Sequence, residues 1–86
     1  MSEGRAARLK RLKMRSMRRG TKEMDLILGA FADTRLDDLA ADRVAIYDTL
    51  LNENDHDLYK WITGQSPVPE RFSDLIRDIS DHAQAP

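Results

Sequence analysis

Apolar residues recur along this chain at the spacing of an amphipathic helix. The pattern i, i+3, i+4, i+7 occurs twice, at Met24, Ile27, Leu28 and Phe31 and again at Phe72, Leu75, Ile76 and Ile79. Between them, a broad apolar face is formed by Ile46, Tyr47, Leu50 and Leu51. This spacing places side chains on one side of a helix. No stretch alternates with period two, so the pattern predicts an all-α fold without a sheet.

About five helices with short loops account for the pattern, in a single compact domain over residues 1–86. We expect them at about 6–17, from 21 to between 32 and 36, at 41–53, from Asp55, and from Pro69. Loose termini are expected at 1–5 and 81–86.

Helix ends are marked by particular residues. Thr21 and Asp55 are suitable N-caps for the second and fourth helices, because their side-chain oxygens accept from free backbone N–H groups. Gly64 is suited to follow the fourth helix in a left-handed conformation. Gly29 lies inside the second helix, where it indicates close packing or a bend.

The predicted core draws on all the helices, although the first helix contributes only a thin apolar stripe. That stripe contains Leu9, Leu12 and either Ser16 or Met17. The aromatic residues are expected mostly in the core: Phe31, Tyr47, Tyr59, Trp61 and Phe72. We expect Leu36 and Leu39 to close over it.

Charge is divided between the two parts of the chain. Residues 1–23 carry nine Lys and Arg against two Glu, a net charge of about +7, and residues 24–86 carry about −8. A basic end could steer towards an acidic protein or bind nucleic acid. It could equally pack beside the acidic helices of its own chain. The pI near 6 and the lack of an evident recognition helix argue against a nucleic-acid-binding domain.

Residues that could carry catalysis are few and scattered. The absence of cysteine removes disulfides, thiolate nucleophiles and cysteine–zinc sites. His56 and His82 lack the i, i+4 spacing of a helical metal pair. The four glycines are far apart, so no glycine-rich loop is present to hold a phosphate. We therefore expect no enzyme activity, no catalytic residue and no metal site.

The basic segment meets the second helix at Gly20. Arg19 and Glu23 lie four residues apart around this glycine. They could form a local salt bridge, worth about 0.5 kcal/mol if exposed. They could instead flank a flat patch that another backbone approaches closely, with charge-assisted hydrogen bonds on either side. Gly20 itself fits either a tight turn or a position where a side chain would clash with a partner.

The segment Arg19-Gly20-Thr21-Lys22-Glu23 resembles the RGxxE motif of the SdhE family, also called succinate dehydrogenase assembly factor 2. The likeness continues through Asp25-Leu26 and reaches a downstream block containing Leu50, Leu51, Asp55, Asp57, Leu58, Tyr59 and Trp61. It covers roughly residues 11–79. RGxxE alone is a weak signal, but the two blocks at this separation are specific.

This resemblance implies a small helical assembly factor. Such a protein binds the flavoprotein subunit of succinate dehydrogenase, or of fumarate reductase, and promotes covalent attachment of FAD to a histidine there. The resemblance assigns partner binding to Arg19, Gly20 and Glu23, flanked by Arg15, Arg18 and Asp25. We expect a monomer without a stably bound cofactor, because the chain has no dinucleotide-binding fingerprint. The alternative is a basic-ended helical nucleic-acid-binding or antitoxin-like regulator.

Hydropathy bears on the location of the protein. No apolar run approaches the ~20 residues that span a bilayer, and residues 1–23 contain no hydrophobic signal core. We therefore expect no membrane insertion and a cytoplasmic location.

Overall fold

Five α-helices joined by short loops make up the computed structural model, which describes residues 3–84. They are α1 (Arg5–Met17), α2 (Lys22–Arg35), α3 (Ala41–Leu50), α4 (Asp55–Ile62) and α5 (Ser73–Gln84). Two 3-10 turns, Leu36–Asp38 and Glu70–Phe72, follow α2 and precede α5. No β-strand occurs in this part of the chain, and the predicted all-α fold of about five helices is confirmed.

α2 lies at the centre of the fold, packed mainly against α1 and α5. Its predicted apolar face is confirmed, since Met24, Leu28 and Phe31 are fully buried and Ile27 packs at the margin of the core. The other predicted faces also point inward, with Leu50 of α3 and Ile79 of α5 fully buried. Burial of a Leu or Phe side chain contributes about 2–3 kcal/mol, so these faces provide most of the folding energy.

Four of the five aromatic side chains lie in or against the core as predicted. Phe31, Tyr47 and Phe72 are buried, and Trp61 packs against them from the edge. The prediction is wrong for Tyr59, which is 38% exposed. The reason is geometric, because Tyr59 lies off the stripe of α4 that carries its buried residues Leu58 and Ile62. Leu36 and Leu39 close the core as expected.

α1 joins the core through a narrow stripe that includes one buried hydroxyl. Leu12 and Ser16 are fully buried, whereas Met17 is 56% exposed. The Ser16 Oγ lies 2.7 Å from the Leu12 carbonyl oxygen and 2.6 Å from the Tyr47 Oη. Burial raises the pKa of Tyr47 to about 12. The polar groups therefore satisfy one another, as buried groups must.

The helix ends confirm two of the three predicted capping residues. Thr21 accepts a hydrogen bond from the Met24 N–H at 3.3 Å and caps α2. Gly64 follows α4 with φ +78°, the left-handed conformation expected of it. The prediction for Asp55 is wrong, because Asn54 accepts from the Asp57 N–H at 2.9 Å and caps α4 instead. Asp55 is thereby left free for a different role.

Several helix boundaries differ from expectation. α1 begins at Arg5 and α5 continues to Gln84, so the loose termini predicted at 1–5 and 81–86 are too long. Residues 1–2 and 85–86 lie outside the described part of the chain. α3 ends at Leu50 rather than near 53, and a 3-10 turn rather than an α-helix follows Pro69. No helix described here is long and apolar enough to cross a membrane.

Two glycines provide a matched test of backbone conformation. A Cβ on Gly29 would lie 3.3 Å from the Met17 Cγ, an atom of a flexible and half-exposed side chain that can move. We expect Gly29→Ala to raise the free energy of unfolding by about 0.5–1 kcal/mol, the difference in helix propensity. Gly64→Ala should lower it by about 1 kcal/mol, because of its positive φ. Urea denaturation measures both changes, and destabilisation by Gly29→Ala would mean that Met17 is held rigidly.

Candidate functional site

The guanidinium of Arg19 lies inside the protein and binds the connection between α3 and α4. Its Nε donates to the Asp55 Oδ1 at 2.7 Å. Its Nη1 and Nη2 each donate at 2.9 Å, to the carbonyl oxygens of Leu51 and Glu53. Only 10% of the Arg19 side chain and 11% of the Asp55 side chain are exposed. A planar group with donors in fixed directions can satisfy these acceptors together, which a lysine ammonium cannot match.

Asp55 and Asp25 also fix the backbone on either side of the Arg19–Gly20 peptide bond. The Gly20 N–H donates to the Asp55 Oδ2, and the Arg19 N–H donates to the Asp25 carboxylate. Asp55 therefore neutralises the buried arginine with one oxygen and holds the exposed glycine with the other. These bonds orient the loop between α1 and α2 before any partner arrives.

Gly20 allows a close approach of the Asp55 carboxylate rather than a left-handed turn. Gly64 is the residue with positive φ in the described chain, so an unusual backbone angle does not explain the glycine at position 20. A Cβ on Gly20 would lie 3.2 Å from the Asp55 Oδ2, closer than carbon and oxygen atoms normally pack. Gly20 is nevertheless exposed on its other side.

A shallow depression lies beside Gly20, between the start of α2 and the start of α4. It is lined by Thr21, Glu23, Asp55, His56 and Tyr59. Glu23 is exposed in the first turn of α2, where the positive end of the helix dipole favours a carboxylate. We name the exposed surface formed by Gly20, Thr21, Glu23, His56 and Tyr59 the motif patch.

The salt bridge between Arg19 and Glu23, one of the two sequence interpretations, does not form. Arg19 turns inward to Asp55, and Glu23 makes no ion pair within residues 3–84. The glycine-floored patch is therefore the arrangement present, but it has a carboxylate, an aromatic ring and a histidine at its edge rather than the Arg19 cation.

The six predicted partner-binding residues thus occupy different environments. Gly20 and Glu23 are exposed on the motif patch, while Arg19 and Asp25 engage in bonds within the protein. Arg18 is exposed at the end of α1. Arg15 turns towards the residues that follow α3, where it donates to the Leu51 carbonyl oxygen and the Asn52 Oδ1, each at 3.0 Å.

Sequence reasoning missed that Asp55, His56 and Tyr59 belong to the same surface as the motif. Asp55 and Tyr59 were part of the downstream resemblance, so a signal was present. Their proximity to Gly20 arises because α4 begins beside the loop that precedes α2, more than thirty residues away in sequence.

The basic face of α1 is neutralised largely within the chain. Arg8, Arg11 and Arg15 all reach the Asp48 carboxylate of α3, at 3.3, 2.8 and 3.3 Å. Hydrogen bonds from Arg11, supported by the charges of Arg11 and Arg8, hold the pKa of Asp48 below its usual value. This supports the intramolecular interpretation of the charge division.

Arg19 and Arg18 allow a matched test of the buried ion pair. Arg19→Ala leaves Asp55 without its counter-ion, and we expect a loss of about 3 kcal/mol of folding free energy. Arg18→Ala, at the exposed neighbouring position, should change it by less than about 0.5 kcal/mol. Urea denaturation monitored by circular dichroism measures both. Equal stability of the two variants would contradict the inward position of Arg19.

Asp48 predicts a loss of stability in acid. The native pKa of the Asp48 carboxyl is lowered, so its ionised form stabilises the folded state. This contribution to the free energy of unfolding is complete at neutral pH and decreases as the pH falls below the pKa of about 4 that Asp has in the unfolded chain. Asp48→Asn should therefore be less stable than wild type at pH 7, with the difference disappearing towards pH 2. Asp33→Asn, at an exposed position of α2, is the control and should keep the wild-type pH dependence. A constant difference for Asp48→Asn between pH 7 and 2 would contradict the linkage.

Comparison with known proteins places the chain in a family. The model of the family described as flavinator of succinate dehydrogenase matches residues 10–83. A relative in Drosophila persimilis, named succinate dehydrogenase assembly factor 2-A, mitochondrial, is 39% identical over 80 residues, covering 90% of this chain and 50% of that protein.

Fungal relatives have the corresponding name, succinate dehydrogenase assembly factor 2, mitochondrial. The protein from Candida glabrata is 39% identical over 79 residues, covering 86% of this chain and 52% of its own length. The one from Schizosaccharomyces pombe is 35% identical over 85 residues, covering 96% and 61%. The chain thus spans about half the length of the curated relatives it matches. With the family model matched over most of its length, the chain belongs to the succinate dehydrogenase flavinator family, as the resemblance around Gly20 predicted.

Proposed function

We propose that this chain is an assembly factor that binds the flavoprotein subunit of succinate dehydrogenase and promotes covalent attachment of FAD to it. The family match and the names of the relatives support the activity. The observation that carries the proposal is the motif patch. There the exposed backbone of Gly20 donates its N–H to Asp55, which is itself held by the buried ion pair with Arg19. A prearranged surface loses less conformational entropy on binding.

The motif patch would be the part that docks on the flavoprotein. The absence of a side chain at Gly20 lets a partner backbone come close. Glu23 can accept charge-assisted hydrogen bonds at its edge, and Tyr59 offers a half-exposed aromatic face of the kind common at interfaces. Arg19 and Asp25 would contribute by holding this surface in place rather than by touching the partner.

The proposed mechanism is positioning. The factor would hold the FAD-binding domain and the mobile capping domain of the flavoprotein so that the acceptor histidine faces the 8α-methyl carbon of the flavin. Holding two reacting groups in place makes a bond-forming step effectively unimolecular, so the chemistry remains that of the flavoprotein and its cofactor. This chain would act without a catalytic residue and without a stably bound cofactor. Release of the finished subunit requires binding to be transient.

The proposal extends to a second client protein, to the oligomeric state and to the location in the cell. Fumarate reductase flavoprotein is a second proposed client, and the factor is proposed to act as a monomer in the cytoplasm. Because the named relatives are mitochondrial, the location is to be measured by fractionating the source cells. A nucleic-acid-binding role is disfavoured, since Asp48 already engages Arg8, Arg11 and Arg15.

Covalent flavin on a co-expressed flavoprotein subunit tests the proposal. In a host without its own factor, the denatured subunit is resolved on a gel and its flavin fluorescence is measured. We expect a bright band with wild type, and a band as weak as without factor for Gly20→Arg, whose side chain would extend over the motif patch. Gly4→Arg is the matched control, because its Cβ would have no neighbour within 4 Å. It should retain wild-type fluorescence.

The outcomes separate the two roles of Gly20. Circular dichroism of Gly20→Arg should remain helical, and unfolding would instead make Gly20 a requirement of the fold alone. Equal bands with and without wild-type factor, for both succinate dehydrogenase and fumarate reductase subunits, would contradict the proposed function.

A further inference from the structure

The outer face of α1 carries exposed methionines between cations that form no ion pair within residues 3–84. Met14 is 44% and Met17 56% exposed, and Lys10 and Arg18 are also exposed. Two shallow grooves run along this helix, and Lys10 and Met14 line both of them. We name the surface formed by Lys10, Met14, Met17 and Arg18 the α1 ridge.

The cations of α1 divide into two groups. Arg8, Arg11 and Arg15 contact Asp48, and Lys13 pairs with Asp37 at 3.0 Å. Lys10 and Arg18 make no ion pair within residues 3–84. The α1 ridge therefore retains positive charge after the internal contacts are made, and that charge favours a negatively charged partner.

The grooves beside the α1 ridge expose apolar side chains among charged ones. One of them is lined by four apolar residues and three charged ones, of which Lys13 and Asp37 pair with each other: Ala6, Leu9, Met14, Met17, Lys10, Lys13 and Asp37. Methionine side chains are flexible and polarisable, and they adapt to varied apolar groups at binding surfaces. The partner suited to this surface therefore combines acidic residues with apolar side chains.

The other groove extends from the α1 ridge towards the loop between α1 and α2. It is lined by Met14 and Arg18 and reaches Arg19, the residue preceding Gly20. We propose that the α1 ridge is a second docking surface for the same flavoprotein subunit, which occupies it with an acidic segment carrying apolar side chains. This inference rests on the proposed function and adds the chemistry of the partner segment to it.

A protein segment fits the α1 ridge better than a nucleic acid. Nucleic acid is held chiefly by cations that contact successive phosphates. Here three arginines of α1 are occupied by Asp48, and Arg11 also binds Glu3 with two hydrogen bonds of 2.9 Å. The exposed Met14 and Met17 side chains offer apolar contacts that a phosphate backbone does not use, whereas apolar side chains of a protein segment do.

Binding of the purified, flavin-free flavoprotein subunit to immobilised variants tests the inference. Lys10→Glu/Arg18→Glu reverses the charge of the α1 ridge, and Arg35→Glu/Arg77→Glu makes the same charge change at exposed positions of α2 and α5. We expect the first pair to weaken binding about tenfold and to reduce its salt dependence, since rim charges act in this way. The second pair should remain within about twofold of wild type.

Met14→Ala separates the apolar contribution from charge. We expect it to weaken binding about threefold to tenfold without changing the salt dependence, because only apolar contact is lost. Circular dichroism of each variant should match wild type, as Met14, Lys10 and Arg18 lie outside the core.

Each outcome either supports or overturns the inference. Weakening by the ridge variants, with unchanged binding by the control pair, supports it. Wild-type binding that is lost in Gly20→Arg but retained by every ridge variant overturns it while leaving the proposed function intact. No binding by wild type contradicts the proposed function and this inference together. A ridge charge reversal that lowers affinity for single-stranded RNA, but not for the flavoprotein, would assign the α1 ridge to nucleic acid and overturn the inference.

Discussion

The ion pair between Arg19 and Asp55 is the interaction on which the candidate site depends. Both side chains are about nine-tenths buried, so each loses most of its hydration. Such a pair is tolerated only where the remaining donors also find acceptors, and here the carbonyl oxygens of Leu51 and Glu53 supply them. The pair thereby connects the loop before α2 to the connection before α4.

Within this short motif, one residue holds the loop in place and others are exposed on the surface. Arg19 fixes the loop from inside, while Gly20 and Glu23, one and four positions further on, face solvent. Gly20 contributes through what it lacks, since a Cβ would press on the Asp55 carboxylate. A motif with a charged residue at each end can therefore have only one of them available to a partner.

The uneven distribution of charge along the chain also stabilises the fold, because basic residues of α1 pair with an acidic residue of α3. Asp48 gathers three arginines of α1, so α1 is held to α3 by electrostatics as well as by its narrow apolar stripe. A domain of 86 residues has a limited core, and a helix with so few buried residues benefits from such contacts. Lys10 and Arg18 do not take part in these contacts. Together with the exposed Met14 and Met17, they make the solvent-facing side of α1 both basic and apolar.

The sequence by itself determined the number of helices, their apolar faces and two of their caps. These follow from contacts between residues three or four positions apart, such as Met24 with Leu28, or from a side chain bonding to a nearby N–H, as at Thr21. The motif could also be identified from the sequence, because the residues around Gly20 resemble those of a known family. The tertiary structure decided which of them are exposed. Arg19 turns inward because it finds its acceptors there. These acceptors lie more than thirty residues away in sequence, so no local spacing of residues could predict the inward position. For the same reason Asp55 became the partner of Arg19 and Gly20 rather than a helix cap, and Tyr59 faced solvent beside them instead of entering the core.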